Sequence, residues 1–132
     1  MNKLEQIRAI NTECFLSDDP YSDITRLRRL DADPKAGFLT VTDCGVIVGY
    51  IIYYEYDNHI ESLRRALTKE YRGQGLGIRL SKRLTSLARH KGKDIYTYVA
   101  KTNLASLNSN LKVGYRVDNI GEDWVYIRYK SA

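Results

Sequence analysis

Tyr71-Arg72-Gly73-Gln74-Gly75-Leu76-Gly77 is the stretch on which the reading of this chain turns. Alternating glycines let a backbone approach a ligand and take conformations barred to other residues. Directly after them, Leu76, Leu80, Leu84 and Leu87 recur at helical spacing. Before them, Ile60 to Thr68 has strand character. A glycine turn between a strand and a helix gathers unpaired amides and the positive helix end at one point, which makes an anion site. Arg72 or Arg79 would add charge at its rim. The spacing G-x-G-x-G fits neither a dinucleotide turn, G-x-G-x-x-G, nor a P-loop, which needs Gly-Lys-Ser/Thr. On these residues alone, a tight turn without a ligand remains the alternative.

Working outward, the helix of residues 75–90 ends at Gly92, with Arg79, Lys82, Arg83 and Arg89 on its wetter sides. Ile95 to Ala100 reads as a strand, parallel to the one before the glycines because a helix makes the crossover. Asn103 to Lys112 reads as a short helix aligning Leu104, Leu107 and Leu111. Tyr115–Val117 and Trp124–Tyr129 read as the last strands, with Trp124 in the core. Upstream, residues 3–16 predict a helix with Leu4, Ile7, Ile10 and Cys14 on one face. Ser17-Asp18-Asp19-Pro20 breaks it, and a second helix follows Ser22 as N-cap, with Ile24, Leu27 and Leu30 inward. Gly37–Thr42, Val46–Tyr56 and Ile60–Thr68 predict an antiparallel meander through turns at residues 43–45 and 57–59. The run from Val46 to Tyr56, apolar almost throughout, marks a strand buried on both faces, and Gly49 within it a bulge or a close approach.

A length of 132 residues predicts a single domain, 1–132. No apolar run approaches the roughly 20 residues of a membrane span, and the N-terminus lacks a secretory core, so a cytoplasmic protein without a membrane partner is expected. Cys14 and Cys44 show no metal spacing, and two histidines do not suggest a metal cluster; no metal is expected. The net charge of +5 favours anionic ligands. Its scatter ranks nucleic acid last, through Arg64, Arg65, Arg79, Lys82 and Arg83.

The segment Arg72-x-x-Gly75-x-Gly77 resembles the pyrophosphate signature of the GNAT superfamily of N-acetyltransferases, Arg/Gln-x-x-Gly-x-Gly/Ala. Residues 61–67, Glu-Ser-Leu-Arg-Arg-Ala-Leu, resemble the family's fourth strand. Asn103-x-x-Ser106 followed by Lys112-Val113-Gly114-Tyr115 resembles its second signature. Glu13-Cys14-Phe15 and Pro20-Tyr21-Ser22 are similar to the first helices of ribosomal-protein N-terminal acetyltransferases. The resemblance implies an α/β protein with a mixed sheet, the GNAT acyl-CoA N-acyltransferase fold. It lacks the first edge strand or has an altered N-terminus, because little room precedes the first helix. It also implies acetyl-CoA as cosubstrate and a primary amine as acceptor, a protein N-terminus or lysine among the candidates. A homodimer is compatible with it.

The resemblance places pantetheine beside backbone groups of Arg65, Ala66 and Leu67, with the Leu67 amide donating to the thioester oxygen. Amides of Gln74, Gly75, Leu76, Gly77 and Ile78 would hold the pyrophosphate, with Arg72 and Gly73 at the turn. Asn103 would bond the pantetheine amides, cap the next helix, or both, and Ser106 belongs to the same set. Glu61 aligns with a family glutamate and is the candidate general base, directly or through water; a solvated strand-end glutamate is the alternative. Glu55 and Tyr56 are its rivals. The family's leaving-thiolate acid is a tyrosine, replaced here by Asn110, which cannot ionise. Ser109, or water held by Ser109 or Asn110, would stand in; a plain exposed helix residue is the alternative for Ser109. The same substitution motivates a second reading, a coenzyme A-binding module with little or no catalysis.

Overall fold

The computed structural model describes residues 1–131. The chain opens with α1 (Lys3–Cys14), whose N-cap Asn2 accepts the Glu5 amide at 2.9 Å. After a one-turn helix at Pro20–Ser22 comes α2 (Ile24–Ala32). The N-cap of α2 is Asp23, not Ser22: Asp23 accepts the Thr25 amide at 2.9 Å, while the Ser22 hydroxyl donates to Leu16 O. A free carboxylate suits the positive helix end, and Ser22 is already spent inside the loop.

β1 (Ala36–Asp43), β2 (Val46–Glu55) and β3 (His59–Leu67) form the expected antiparallel meander. The turn from β1 to β2 needs two consecutive positive-φ residues, Cys44 (φ 50°) and Gly45 (φ 80°). Gly49 fulfils both expectations. It lies beside the register shift at Val41/Thr42, and a Cβ there would sit 2.4 Å from Leu67 Cδ2. Then come α3 (Leu76–Lys91), closed by Gly92 at φ 65°, and β4 (Asp94–Ala100). α4 (Leu104–Val113), β5 (Arg116–Ile120) and β6 (Trp124–Tyr129) complete the chain. The six strands run in the order β1-β2-β3-β4-β6-β5 in one mixed sheet, with β3 and β4 parallel. Among the described residues, no strand precedes α1.

Helices cover the sheet on two faces. Ile7 and Ile10 of α1 and Leu27 of α2 pack on Ile47, Tyr50, Ile52 and Ala66. On the other face Leu80, Leu84 and Ala88 of α3 pack on Ile51, Ile60, Ile95, Val99 and Ile127. Several apolar residues depart from their expected burial: Val46 and Tyr56, at the two ends of the run expected to be buried, are 57% and 40% exposed, because strand ends reach past the covering helices. Leu104 is 62% exposed, being the first residue of α4 and outside its packed side. Trp124 is 41% exposed, because the two-residue period of β6 gives the core to Val125, Ile127 and Tyr129. Trp124, Tyr98 and Tyr126 instead form an aromatic cluster on the half of the sheet that α1 and α2 leave uncovered.

The feature that positions the site is a split in the sheet. β3 pairs with β4 only from His59–Glu61 to Asp94–Tyr96. Beyond that, Thr97 Oγ1 reaches Ser62 O at 2.9 Å, and β4 continues with β6 over Ile95–Ala100. In the same region Ile52 opposes Arg64 and Tyr53 opposes Ser62, so Leu63 is an extra residue in β3. This bulge turns Leu63 and Arg64 both toward the α1 face and returns Arg65 to the α3 face. Ile60, fully buried, fills the closed end of the split. Ile60→Ala is expected to cost about 2–5 kcal/mol in denaturant unfolding, and Ile60→Val about 0.5–1.5; a loss under about 1 kcal/mol for the alanine would contradict this packing.

Candidate functional site

Gly73 and Gly75 adopt φ of 78° and 81°, and Gly75 is the N-cap of α3. A Cβ at either glycine would meet nothing within 4 Å, so the backbone conformation rather than lack of space calls for glycine. No side chain caps α3, and its first helical bond runs from Arg79 N to Gly75 O. The amides of Leu76, Gly77 and Ile78 therefore have no intrahelical acceptor. They open toward the split between β3 and β4.

A cavity of about 440 Å³ lies beside the end of β3 that β4 has left, between the start of α3, α4 and the end of α1. Of the residues expected to bind the donor, Arg65, Ala66, Leu67, Arg72, Gly73, Gly75, Gly77, Ile78, Asn103 and Ser106 line it, as does Ser109. Gln74 and Leu76 are not in its wall, and the Gln74 side chain turns back to Glu70 O at 3.3 Å. Cys14 and Phe15 at the end of α1 also line it; their apolar spacing gave no signal of this beyond helix packing. Thr68 N bonds Val48 O on β2, so strand alternation turns Leu67 the other way. The Leu67 carbonyl accepts Cys14 Sγ at 3.1 Å and Arg72 Nε at 3.3 Å. Its amide faces the same open side. Arg72 is thus folded onto the end of β3, with Nη2 3.1 Å from Cys14 Sγ.

A second cavity of about 310 Å³ adjoins the first, and the two share Phe15, Arg65, Asn103 and Ser106. Asp19, Arg64, Tyr98, Asn110 and Trp124 contribute to its wall. Arg64 pairs with Asp19 at 2.5 Å and lies over the Phe15 ring at 4.2 Å and the Tyr21 ring at 5.1 Å. Asp19 also accepts from Asn11 and the Tyr21 amide. The loop after α1 is tied to β3 by this pair. Arg64 and Arg65 point to opposite faces of the sheet, and Arg83 donates to Thr40 O.

Arg65 is half-buried between β3, α3 and α4. Nη1 donates to Gly77 O (3.3 Å) and Ser81 Oγ (2.8 Å), Nη2 to Ser106 Oγ (3.3 Å) and Ser109 Oγ (2.7 Å). All these partners are neutral. Burial lowers the pKa of the guanidinium, and the Tyr115 hydroxyl opposes that slightly. Asn103 caps α4 by accepting the Ser106 amide at 3.2 Å while lining both cavities, so its two expected places coincide.

Glu61 stands outside both cavity walls, opposite Tyr54 on β2 and Tyr96 on β4. The Tyr56 hydroxyl beside it has a raised pKa, from burial first and the Glu61 charge second. The rival Glu55 is committed elsewhere. Lys91 and Lys93 bond it at 2.5 and 2.6 Å and hold its carboxyl below the usual range, which disfavours it as a base. Among the described residues no group of three or more His, Cys, Asp and Glu side chains could hold a metal ion.

The sequence model described as acetyltransferase (GNAT) family matches residues 4–115. The chain belongs to the GNAT acetyltransferase family. No curated protein sequence matches it. Among solved structures, the PaiA N-acetyltransferase from Thermoplasma acidophilum, in complex with coenzyme A, superposes with a TM-score of 0.84 at 20% identity, covering 96% of this chain and 92% of that one. The ribosomal-protein-S18-alanine N-acetyltransferase from Escherichia coli gives 0.79 at 15%, covering 98% and 89%. An aminoglycoside 6'-N-acetyltransferase complexed with coenzyme A gives 0.81 at 15%, covering 98% and 91%. At these identities they share the GNAT fold with this chain. No helix of the described residues is long and apolar enough to cross a membrane.

The closed end of the split is clamped by Asp94, which accepts from Arg128 Nε and Nη2 at 2.9 and 2.5 Å and from the Ser131 amide at 3.1 Å. The Arg128 bonds hold its carboxyl below the ordinary value of 3.8. A depressed native pKa stabilises the fold above the unfolded value and loses that contribution as pH falls below it. Arg128→Gln is therefore expected to flatten the fall in stability below pH ~4 and to leave a smaller difference there than at neutral pH. A uniform loss across pH, in urea melts from acid to neutral, would contradict the clamp.

Proposed function

We propose that this chain is an acetyl-CoA-dependent N-acetyltransferase acting on a primary amine. One observation carries the reading: an uncapped helix N-terminus behind positive-φ glycines and the free backbone edge of β3 open into one cavity. A pyrophosphate would take the α3 amides, because unpaired N–H groups and the helix dipole favour an anion there. The pantetheine amides would pair with β3 as a strand would, at the edge β4 has left. The Leu67 amide is the candidate donor to the thioester oxygen, where negative charge grows as the amine attacks. Asn103 steadies the other wall.

The second cavity is the candidate acceptor side. The nitrogen lone pair forms the new bond to carbonyl carbon, the carbon–sulfur bond breaks, and its electron pair stays on sulfur. Glu61, directly or through water, takes the ammonium proton. A protein N-terminus or a lysine suits the aromatic wall of Tyr98 and Trp124 beside this cavity; the ribosomal-protein enzyme among the structural neighbours agrees. The free thiols of Cys14 and Cys44 fit a cytoplasmic setting. Asn110 favours the alternative, a coenzyme A-binding module with weak turnover: it is buried and bonded to Ser106 O, without an ionisable hydrogen.

Thiol release from acetyl-CoA with a panel of amines and peptides separates the two readings. Acceptor-dependent release is expected; binding without release with any amine would leave the module. Gly75→Glu puts a strained backbone and a negative charge at the α3 N-terminus, and coenzyme A affinity should fall at least tenfold in calorimetry. Unchanged affinity in a folded variant would defeat the pyrophosphate assignment. Glu61→Gln should lower turnover about 10²–10⁴-fold with cofactor affinity retained. Full turnover across the pH profile would remove Glu61 as base.

A further inference from the structure

The junction of the two cavities holds a chain of hydrogen bonds in which one hydroxyl keeps its hydrogen free. Arg65 supplies four N–H groups, to Gly77 O and to the hydroxyls of Ser81, Ser106 and Ser109. The Ser109 hydroxyl passes its own hydrogen to Ser106 O at 3.0 Å, and that of Ser81 points to Asn110 Oδ1 at 3.5 Å. Ser106 differs. Its oxygen accepts from Arg65 and, at 3.5 Å, from Asn110 Nδ2, but among the described residues no acceptor takes its hydrogen. Ser106 also lines both cavities. A hydroxyl that accepts from a cation is a stronger donor in turn.

The charge behind it is uncompensated. No Asp or Glu bonds Arg65 among the described residues, and none lines the first cavity. A half-buried cation held only by neutral dipoles leaves a positive potential where anionic charge can lower its energy. A donor with phosphates at the glycine turn and its reactive end toward the acceptor cavity must cross that junction. We infer that Ser106, backed by the Arg65 guanidinium, donates a hydrogen bond to the sulfur as it leaves coenzyme A, in the position where Asn110 offers no acid. The inference rests on the donor assignment above. Sulfur departs as thiolate with the electrons of the broken bond, the amine proton leaves by the base, and solvent protonates the thiolate on release. Full proton transfer from Ser106 is unnecessary, since a thiol near pKa ~8.5 is a fair leaving group at neutral pH.

The direct test is the pH titration of the thiol of coenzyme A bound to the protein, read from thiolate ultraviolet absorbance. The native complex should titrate about one unit or more below free coenzyme A titrated alongside it. Ser106→Ala and Arg65→Gln should each raise that value by about one unit, while Ser106→Thr, which keeps the hydroxyl, retains it. Ser106→Ala removes a single oxygen at the cavity wall, so it reports even where Arg65→Gln disturbs packing. Its kcat should drop about tenfold, less than for an oxyanion-hole donor because thiolate leaves readily. Bound thiol titrating alike in the native protein and Ser106→Ala overturns this inference alone. Failure of the native protein to bind coenzyme A overturns the donor assignment and this inference with it.

Discussion

The parallel contact between β3 and β4 ends after Glu61, and the site follows from that ending. Backbone amides and carbonyls inside a fold must find partners. On the far side of β3, β2 supplies them over Gly49–Glu55. On the near side β4 has followed β6, and Leu67 O is satisfied by Cys14 and Arg72 instead. A strand edge held open by substitutes of this kind is a docking edge for a linear molecule with amides of its own. The bulge at Leu63 sets which side chains meet there, because one extra residue sends Arg64 to the α1 face and Arg65 to the α3 face.

Electrostatics then gives the cavity a direction. The α3 N-terminus and Arg72 lie toward one end, Arg65 at the junction with the second cavity, and no carboxylate lines the space between. The carboxylates nearby are engaged outside it: Asp19 with Arg64, Glu55 with two lysines, Asp94 with Arg128. A low-dielectric cavity lined this way concentrates an anionic ligand and strengthens each donor aimed at it. The second cavity is different in kind, with an ion pair and an aromatic wall.

Most of the architecture was legible because it rests on local signals. Glycine spacing, the Leu76-to-Leu87 period and the apolar run after Val46 placed the helix, the crossover and the buried central strand. Signals that depend on neighbours were not legible. The inward face of β6 decides the exposure of Trp124, and nothing in Trp124 itself reports that half the sheet is bare. Asp23 takes the α2 cap because Ser22 is bonded to Leu16 O, a contact made by the loop's fold. The bulge at Leu63 has no glycine to mark it, so the burial of Arg65 read as a surface charge. Ser106 was legible as a signature residue, but its free hydrogen only through the bonds of Arg65, Ser109 and Asn110.

An open β3 edge that seats coenzyme A in the manner of a strand must lose amide exchange when the ligand binds. Amide hydrogen exchange measured residue by residue, with and without coenzyme A, tests this most directly. The amides of Leu67 and of residues 75–78 should slow on binding, while those of α2 and β5, remote from the split, should keep their rates. Coenzyme A binding that leaves Leu67 and the start of α3 exchanging as before would contradict it.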